Sequence, residues 1–386
     1  MSNSEDTTDL NGADGENSPA DVGHLSAQNA LALGAQYHNS GNLSQAEGIY
    51  RQVLQTDPKQ PDALQLLGVI ALQRDNNELA VDLLTRSLAI ESGFANVHAS
   101  LGLALKRTGK IDEAIASFDT AITIDPNNVE AHLNLGFLFK DTGNPEAAVE
   151  SLRAALALDP ENRKAAYLLA ALTDEMTEAP PEGFVEQIFD EHAFVFERRM
   201  QQGDSQLPQI CRSAAARFLK QRGIETARPF PNTLDLGCGT GRAGAAFRDT
   251  TDTLHGVDLS LKMMEQALEK GVYDGLFQGD FTGFLNQTED TYDLVLAVDS
   301  FLYIGPLEAV FSGVVRVLRP GGSFAFTVEA LDSGNFALRD TCHHAHGEDY
   351  VRHLAAENHL DVALCEPIDN MRFGTKGTLF WLEKPG

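Results

Sequence analysis

Asp235-Leu236-Gly237-Cys238-Gly239-Thr240-Gly241 sets an acid and three alternating glycines between the β-prone pair Thr233-Leu234 and the small, helix-compatible residues Arg242 to Phe247. A glycine turn between strand and helix leaves backbone amides bare at the positive end of a helix, where a nucleotide-like ligand can approach. The acid two places before the first glycine points to a ligand that also carries a cationic group. A dinucleotide fingerprint can equally be laid on Gly239, Gly241 and Gly244, so the turn alone fits two cofactor classes. Gly237 and Asp235 both lie ahead of that fingerprint and lean away from a dinucleotide.

Further acids follow at intervals. Leu254-His255-Gly256-Val257-Asp258 reads as a second strand ending in a carboxylate, placed to accept both hydroxyls of a ribose. Asp258 could instead cap the next helix, though Ser260 can do the same. Gly279-Asp280-Phe281 ends a third strand. A carboxylate there can accept an adenine amine while Phe281 packs on the ring, and Asp280 equally suits capping a short helix near Thr282. Asp293 to Asp299 is a fourth strand that leaves Asp299 beside the cleft as a further cofactor-binding candidate, and Leu318-Arg319-Pro320-Gly321-Gly322 is a turn feeding a fifth.

Over residues 183–386 these motifs, in this order and spacing, resemble a class I S-adenosylmethionine-dependent methyltransferase. The resemblance implies a Rossmann-like, doubly wound sheet. It assigns the turn, with Gly237, Gly239 and Gly241, to the methionyl part of the cofactor S-adenosylmethionine. Asp258 goes to the ribose, Asp280 and Phe281 to the adenine, and Asp235 to the cationic donor region through nearby amides and water. A narrower resemblance is to bacterial methyltransferases that carry N-terminal tetratricopeptide repeats. Phe189 to Phe196, Ala297 to Gly305, Ala345 to Val351 and Met371 to Gly374 support it. The chain departs from that pattern with His192 in place of Tyr and His343-His344 in place of Arg-Tyr, where a lid or acceptor pocket belongs.

Cys342-His343-His344-Ala345-His346 invites a metal reading. Adjacent histidines without fixed carboxylate or cysteine partners rarely close a site, so an exposed loop carrying a polar cluster is expected and no metal. An imidazole there also suits proton removal near neutral pH. The sulfonium methyl is intrinsically activated, so proximity and orientation do most of the work. Closure of a helix over 184–200 would exclude water. The sequence names no catalytic residue, because a carboxylate acceptor needs no base whereas a hydroxyl or amine does.

These residues need elements to hold them. Strands are expected at 233–236, 254–258, 275–279, 292–298, 322–329 and 377–383. Helices between them, such as 260–270 and 306–318, imply a mostly parallel sheet covered on both faces. Upstream a 34-residue period appears: Gly34, Gly68, Gly102 and Gly136; Ala46, Ala80, Ala114 and Ala148; Tyr50, Leu84, Phe118 and Leu152. Pro58, Pro126 and Pro160 fall in phase, with Ser92 in the remaining slot. Gly41, Gly109 and Gly143 mark turns between paired helices, and Asp75-Asn76-Asn77 stands at that turn in the second repeat. These residues resemble tetratricopeptide repeats over 27–60, 61–94, 95–128 and 129–162, with a capping helix from Arg163 to about Met176. The fold class is therefore α plus α/β: a disordered acidic tail at 1–25, an α-solenoid at 26–177, a linker at 178–183 and a methyltransferase domain at 184–386.

The net charge of -27 bounds the partners. Residues 1–182 carry 11 basic and 27 acidic side chains, and 183–386 carry 18 and 29, so neither half offers a basic footprint. Nucleic acid and anionic membrane surfaces are thereby disfavoured. Four scattered cysteines form no CxxC pair, and no basic-then-apolar leader or spanning apolar run appears, which suggests a cytoplasmic protein. The repeats favour a protein or peptide partner, and Lys106 and Lys140, at one helix position 34 residues apart, either meet an acidic peptide or are solvated surface charges. Two alternatives stand beside methyl transfer: a cofactor-binding interaction scaffold without turnover, and a nicotinamide dehydrogenase, which Asp235, Asp280 and the 318–322 turn fit less well.

Overall fold

The 34-residue period is built as paired helices. The computed structural model describes residues 25–173, 175, 177, 179–190, 206–369, 371 and 374–386. Helices α1 (Ala27–Asn39) and α2 (Leu43–Thr56) form the first pair, α3 (Pro61–Gln73) and α4 (Asn77–Ile90) the second. α5 (Ala95–Arg107) with α6 (Ile111–Ile124), and α7 (Val129–Asp141) with α8 (Pro145–Leu158), complete four repeats. The phased glycines are what let each pair close. A Cβ on Gly34, Gly68, Gly102 or Gly136 would stand 2.4, 2.8, 2.8 or 2.6 Å from Tyr50, Leu84, Phe118 or Leu152 respectively. Those bulky side chains are fully buried, so each glycine serves as the seat for the partner helix's large residue. Gly41, Gly109 and Gly143 turn between helices at φ of 79°, 77° and 76°, and Asp75 takes the same left-handed conformation at 59°. Lys106 lies over the Phe137 ring of the next repeat at 5.0 Å, and Lys140 pairs with its neighbour Asp141 at 2.8 Å.

The chain divides into two compact units at Asn162/Arg163. Helix α9 (Arg163–Leu172), expected as the cap of the repeats, falls in the second unit, where the buried Tyr167 hydroxyl donates to the Cys342 carbonyl at 3.1 Å. The second unit continues with α10 (184–190) and α11 (Leu207–Arg222). Then strands and helices alternate: β1 (Asn232–Leu236), α12 (Arg242–Phe247), β2 (Thr253–Asp258), α13 (Leu261–Lys270), β3 (Gly275–Gln278), α14 (Phe281–Gln287), β4 (Tyr292–Ala297), α15 (Glu308–Val317) and β5 (Leu318–Leu331). The segment closes with β6 (Phe336–Leu338), β7 (His344–Gly347), α16 (Glu348–Glu357), β8 (Asp361–Ile368) and β9 (Gly377–Glu383).

The described strands make a nine-stranded sheet in the order β3-β2-β1-β4-β5-β7-β6, with β9 antiparallel to both β5 and β8. β1 pairs in parallel with β2 and β4, and β4 with β5. Alternate residues face opposite sides. Val295, Phe324, Phe326 and Phe380 pack under α14, α15 and α16, while Leu294, Leu296, Ala325 and Trp381 pack under α11 and α12. Burial on both faces explains why these strands read as nearly continuous apolar runs. Residues 319–322 bulge from the ladder between Tyr292–Leu318 and Leu294–Ser323, which is the expected turn feeding β5.

One expectation changes here. The Cys342–His346 run is not an exposed loop: His344 and His346 lie within β7, and His343, His344 and His346 are all buried. Short strands β6 and β7 carry too few residues to print a period-2 pattern, so the sequence did not reveal them. No described helix is long and apolar enough to cross a membrane.

Candidate functional site

β1 has neighbours on either side, β2 and β4, and the chain enters them in opposite lateral directions. At such a reversal the carboxyl ends of the strands open a crevice. A cavity of about 470 Å³ lies there, lined by residues that follow β1, β2, β3 and β4 together with Ala179–Gly183, α10 and the 303–310 segment.

The glycine turn forms its floor. Gly237, Gly239 and Gly241 have φ of 75°, 51° and 83°, a conformation costly to any residue with a Cβ. A Cβ on Gly237 would also strike Ser300 at 2.6 Å, whereas around Gly239 there is open space within 4 Å. Gly237 and Cys238 donate their amides to the Val257 carbonyl at 2.8 and 3.0 Å, which ties the turn to β2. Gly239 donates to Asp258 Oδ2 at 2.8 Å, and Ser260 donates to Asp258 Oδ1 at 2.9 Å. Asp258 thus holds the turn, while each of its oxygens keeps a second lone pair. Burial pushes its carboxyl up, against the amide bonds from Ser260 and Gly239. Ser260, not Asp258, caps α13, accepting from the Met263 amide at 3.1 Å.

Asp280 takes the capping role the sequence allowed and also lines the cavity. It caps α14, accepting from the Gly283 amide at 2.8 Å and the Thr282 hydroxyl at 2.6 Å, and it lines the cavity beside Phe281. The Thr282 hydroxyl and Gly283 amide hold its carboxyl below the ordinary range. Asp299 lines the cavity from the end of β4 with φ of 62°, its amide donating to Thr327 Oγ1 at 2.9 Å.

Asp235 and Gly241 are placed elsewhere. Neither lines the cavity. Asp235 is fully buried, and its Oδ2 accepts from the Tyr273 hydroxyl at 2.7 Å. Burial pushes its carboxyl up to about 7, with the Tyr273 bond opposing. Neighbouring residues on a strand point to opposite faces, and Asp235 takes the side of Tyr273 and Gly244, away from the cleft. Its influence on a ligand therefore runs through the turn it supports.

The histidines work as struts. His346 Nε2 donates to the Ile304 and Gly305 carbonyls at 2.9 Å each, and His344 Nε2 to the Thr177 carbonyl at 2.9 Å. Burial lowers the pKa of both, His346 to about 4, and neither lines the cavity. His343 Nδ1 meets Glu329 Oε1 at 3.0 Å behind the cavity-lining Tyr303, whose ring it contacts edge to face at 5.3 Å. Among the described residues there is no cluster of three or more His, Cys, Asp or Glu able to hold a metal.

The sequence reading missed Tyr303, Pro306 and Arg242 as cavity residues, and it took Ala179–Gly183 for a linker. Their proline and glycine content reports only local backbone shape, and nothing local marks that they wrap the cleft. α10 is fixed to the loop after β2 by Ser260 Oγ donating to Asp190 Oδ1 at 2.5 Å, and to Tyr303 by the Phe189 ring. His192, Phe194, Phe196 and the other residues of the expected 184–200 lid from 191 onward lie outside the described residues, as do residues 1–24 of the acidic tail.

Comparison with known families agrees with this division. Residues 234–326 match the family described as "Methyltransferase domain". Residues 38–104, 102–143 and 129–162 match tetratricopeptide repeat families. The malonyl-[acyl-carrier protein] O-methyltransferase of Salmonella typhimurium is 33% identical over 102 residues, 26% of this chain and 40% of that protein. An O-methyltransferase of Pyrenophora dematioidea is 33% identical over 124 residues, 29% of this chain and 45% of that one. The chain thus aligns with less than half the length of these relatives. A crystal structure of an S-adenosylmethionine-dependent methyltransferase from Clostridium acetobutylicum is similar with a TM-score of 0.38 at 17% identity, covering 52% of this chain and 100% of that one.

Proposed function

We propose that this chain, which carries tetratricopeptide repeats followed by a methyltransferase domain, transfers a methyl group from S-adenosylmethionine to an acceptor delivered with the help of the repeats. The observation that carries this reading is the Asp258-braced glycine turn at the floor of the cavity. The donor set fits the cofactor. Gly237 and Gly239 offer approach to bare backbone, Asp258 retains lone pairs for a ribose, and Asp280 with Phe281 suits an adenine amine and ring. Bound there, S-adenosylmethionine supplies an electrophilic methyl on a sulfonium. The residues of the chain bind and orient it and keep water out. Asp299 stands just after β4 and lines the same cavity. Asp235, set behind the turn, keeps its shape through Tyr273.

Helix pairs stacked over four repeats present a concave surface suited to a peptide, so the repeats are assigned a protein or peptide partner. Non-catalytic binding is the second reading, and turnover separates it from the first. Calorimetric titration of the full chain with S-adenosylmethionine, with NADH as control, is the first experiment. Saturable binding of the sulfonium compound and none of NADH is expected. Binding of NADH alone would overturn the assignment. Release of S-adenosylhomocysteine in cell extract, with and without residues 27–162, then tests recruitment; unchanged activity after the deletion would remove the repeats from acceptor delivery.

A further inference from the structure

The cavity has more wall than the glycine turn, Asp258 and Asp280 supply. Its lining also includes Glu182, Glu186, Phe189, Asp299 and Tyr303. Two features of this lining are independent of each other. The first is aromatic: the rings of Phe189 and Tyr303 meet at 5.6 Å with an interplanar angle of 84°, so they form a corner. Tyr303 is backed by His343, and His343 by Glu329, with only 4% and 3% of those two side chains exposed. A hydrogen-bonded pair so buried leaves the ring little freedom to swing away. The second is charge: the described cavity-lining residues include Glu182, Glu186, Asp258, Asp280 and Asp299 against a single cation, Arg242. Asp299 is also one of the few non-glycine residues with positive φ. Backbone held in that region beside a cleft is a feature found at functional sites.

An anionic acceptor would enter against this field, whereas a cation is drawn in by it. An aromatic corner adds attraction for an ammonium through the ring faces. The carboxylates also offset the repulsion that an ammonium would otherwise feel from a sulfonium in the same cavity.

Resting on the methyltransferase reading, we propose that the acceptor is an amine, held as an ammonium between Glu186, Phe189, Asp299 and Tyr303, and that the reaction is N-methylation. The chemistry balances without a further reactant. The ammonium first gives one proton to a carboxylate or to water, which frees the nitrogen lone pair. That pair forms the new N–C bond to the methyl carbon as the C–S bond breaks and its electrons pass to sulfur. S-adenosylhomocysteine leaves neutral, and the N-methyl product carries the positive charge until it loses a proton.

The test uses the full-length protein, S-adenosylmethionine labelled in its methyl group and an extract of the native cells. Labelled products are split by mild alkali, which releases methanol from methyl esters, and the stable remainder is located by mass spectrometry. Label on nitrogen, stable to alkali, is expected. Glu186→Gln and Tyr303→Ala should each raise the apparent KM for the labelled acceptor about tenfold and leave the affinity for S-adenosylmethionine within twofold. Volatile methanol, or label on oxygen or carbon, would overturn the amine and leave methyl transfer standing. Binding of S-adenosylmethionine with no label transferred would overturn both in favour of the scaffold. Absence of that binding would instead strike the methyltransferase reading itself.

Discussion

Glycine does different work in the two halves of this molecule. In the repeats, Gly34, Gly68, Gly102 and Gly136 sit inside helices, and their missing side chains make room for Tyr50, Leu84, Phe118 and Leu152. In the site, Gly237, Gly239 and Gly241 supply left-handed backbone, and around Gly239 the space stays open. The first set is about filling volume and the second about keeping a surface bare. Filled volume tolerates exchange among side chains of matching size, as the Tyr, Leu, Phe and Leu of successive repeats illustrate. A bare turn tolerates no such exchange, because its conformation and its clearance are both required.

That contrast can be broken in four ways. The largest effect is expected from Phe118→Ala, which empties the seat on Gly102 and should cost about 3–5 kcal/mol of stability in denaturant unfolding. Calorimetry should find the affinity for S-adenosylmethionine unchanged, and a parallel loss would show that volume and surface are coupled.

Asp235 tests the support behind the turn. Its carboxyl is raised by burial from 3.8 to about 7, so between those values the folded chain holds a proton that the unfolded chain has released. The resulting stability is fully present below about pH 4 and is lost as pH rises to and through about 7. Asp235→Asn should remove this slope, a difference on the order of 4 kcal/mol in the pH dependence of unfolding free energy. Identical slopes for the two proteins would mean that Asp235 ionises freely in the fold.

Asp258→Ala removes the acceptor for the Gly239 and Ser260 amides. At about 1.5–3 kcal/mol for a hydrogen bond to a charged group, binding of S-adenosylmethionine should weaken roughly ten- to a hundredfold in titration calorimetry. Full affinity in that variant would place the ligand elsewhere.

The smallest effect is expected at Asp75, where φ is 59° while the equivalent turns of the other repeats use glycine. Asp75→Gly should raise the melting temperature slightly, by relief of about 1 kcal/mol of left-handed strain, unless the Arg107 ion pair to Asp75 at 3.9 Å offsets the gain.

How far the sequence could be read follows from range. The repeats were legible because their contacts recur at one spacing, and seat and filler both show in the residue types. The glycine turn, Asp258, Asp280, Phe281 and Asp299 could be found because each sits at the end of an apolar strand. Tyr303 and Ala179–Gly183 could not, since they meet the cavity only through chain reversals that leave no periodic trace. The histidine run misled for a related reason. Cys342 to His346 is polar by composition, yet His344 and His346 lie inside the fold and donate to carbonyl groups at Thr177, Ile304 and Gly305.

The sequence by itself determined the repeat period, the strand–turn–helix order and the acids at the strand ends, because local propensity and spacing encode these. Only the tertiary structure decided that Asp235 faces Tyr273 rather than the cleft, that the histidines are struts, and that an aromatic corner and a surplus of carboxylates line one cavity. Burial and hydrogen-bond partners fix those properties, and they come from residues tens to more than a hundred positions away in the chain.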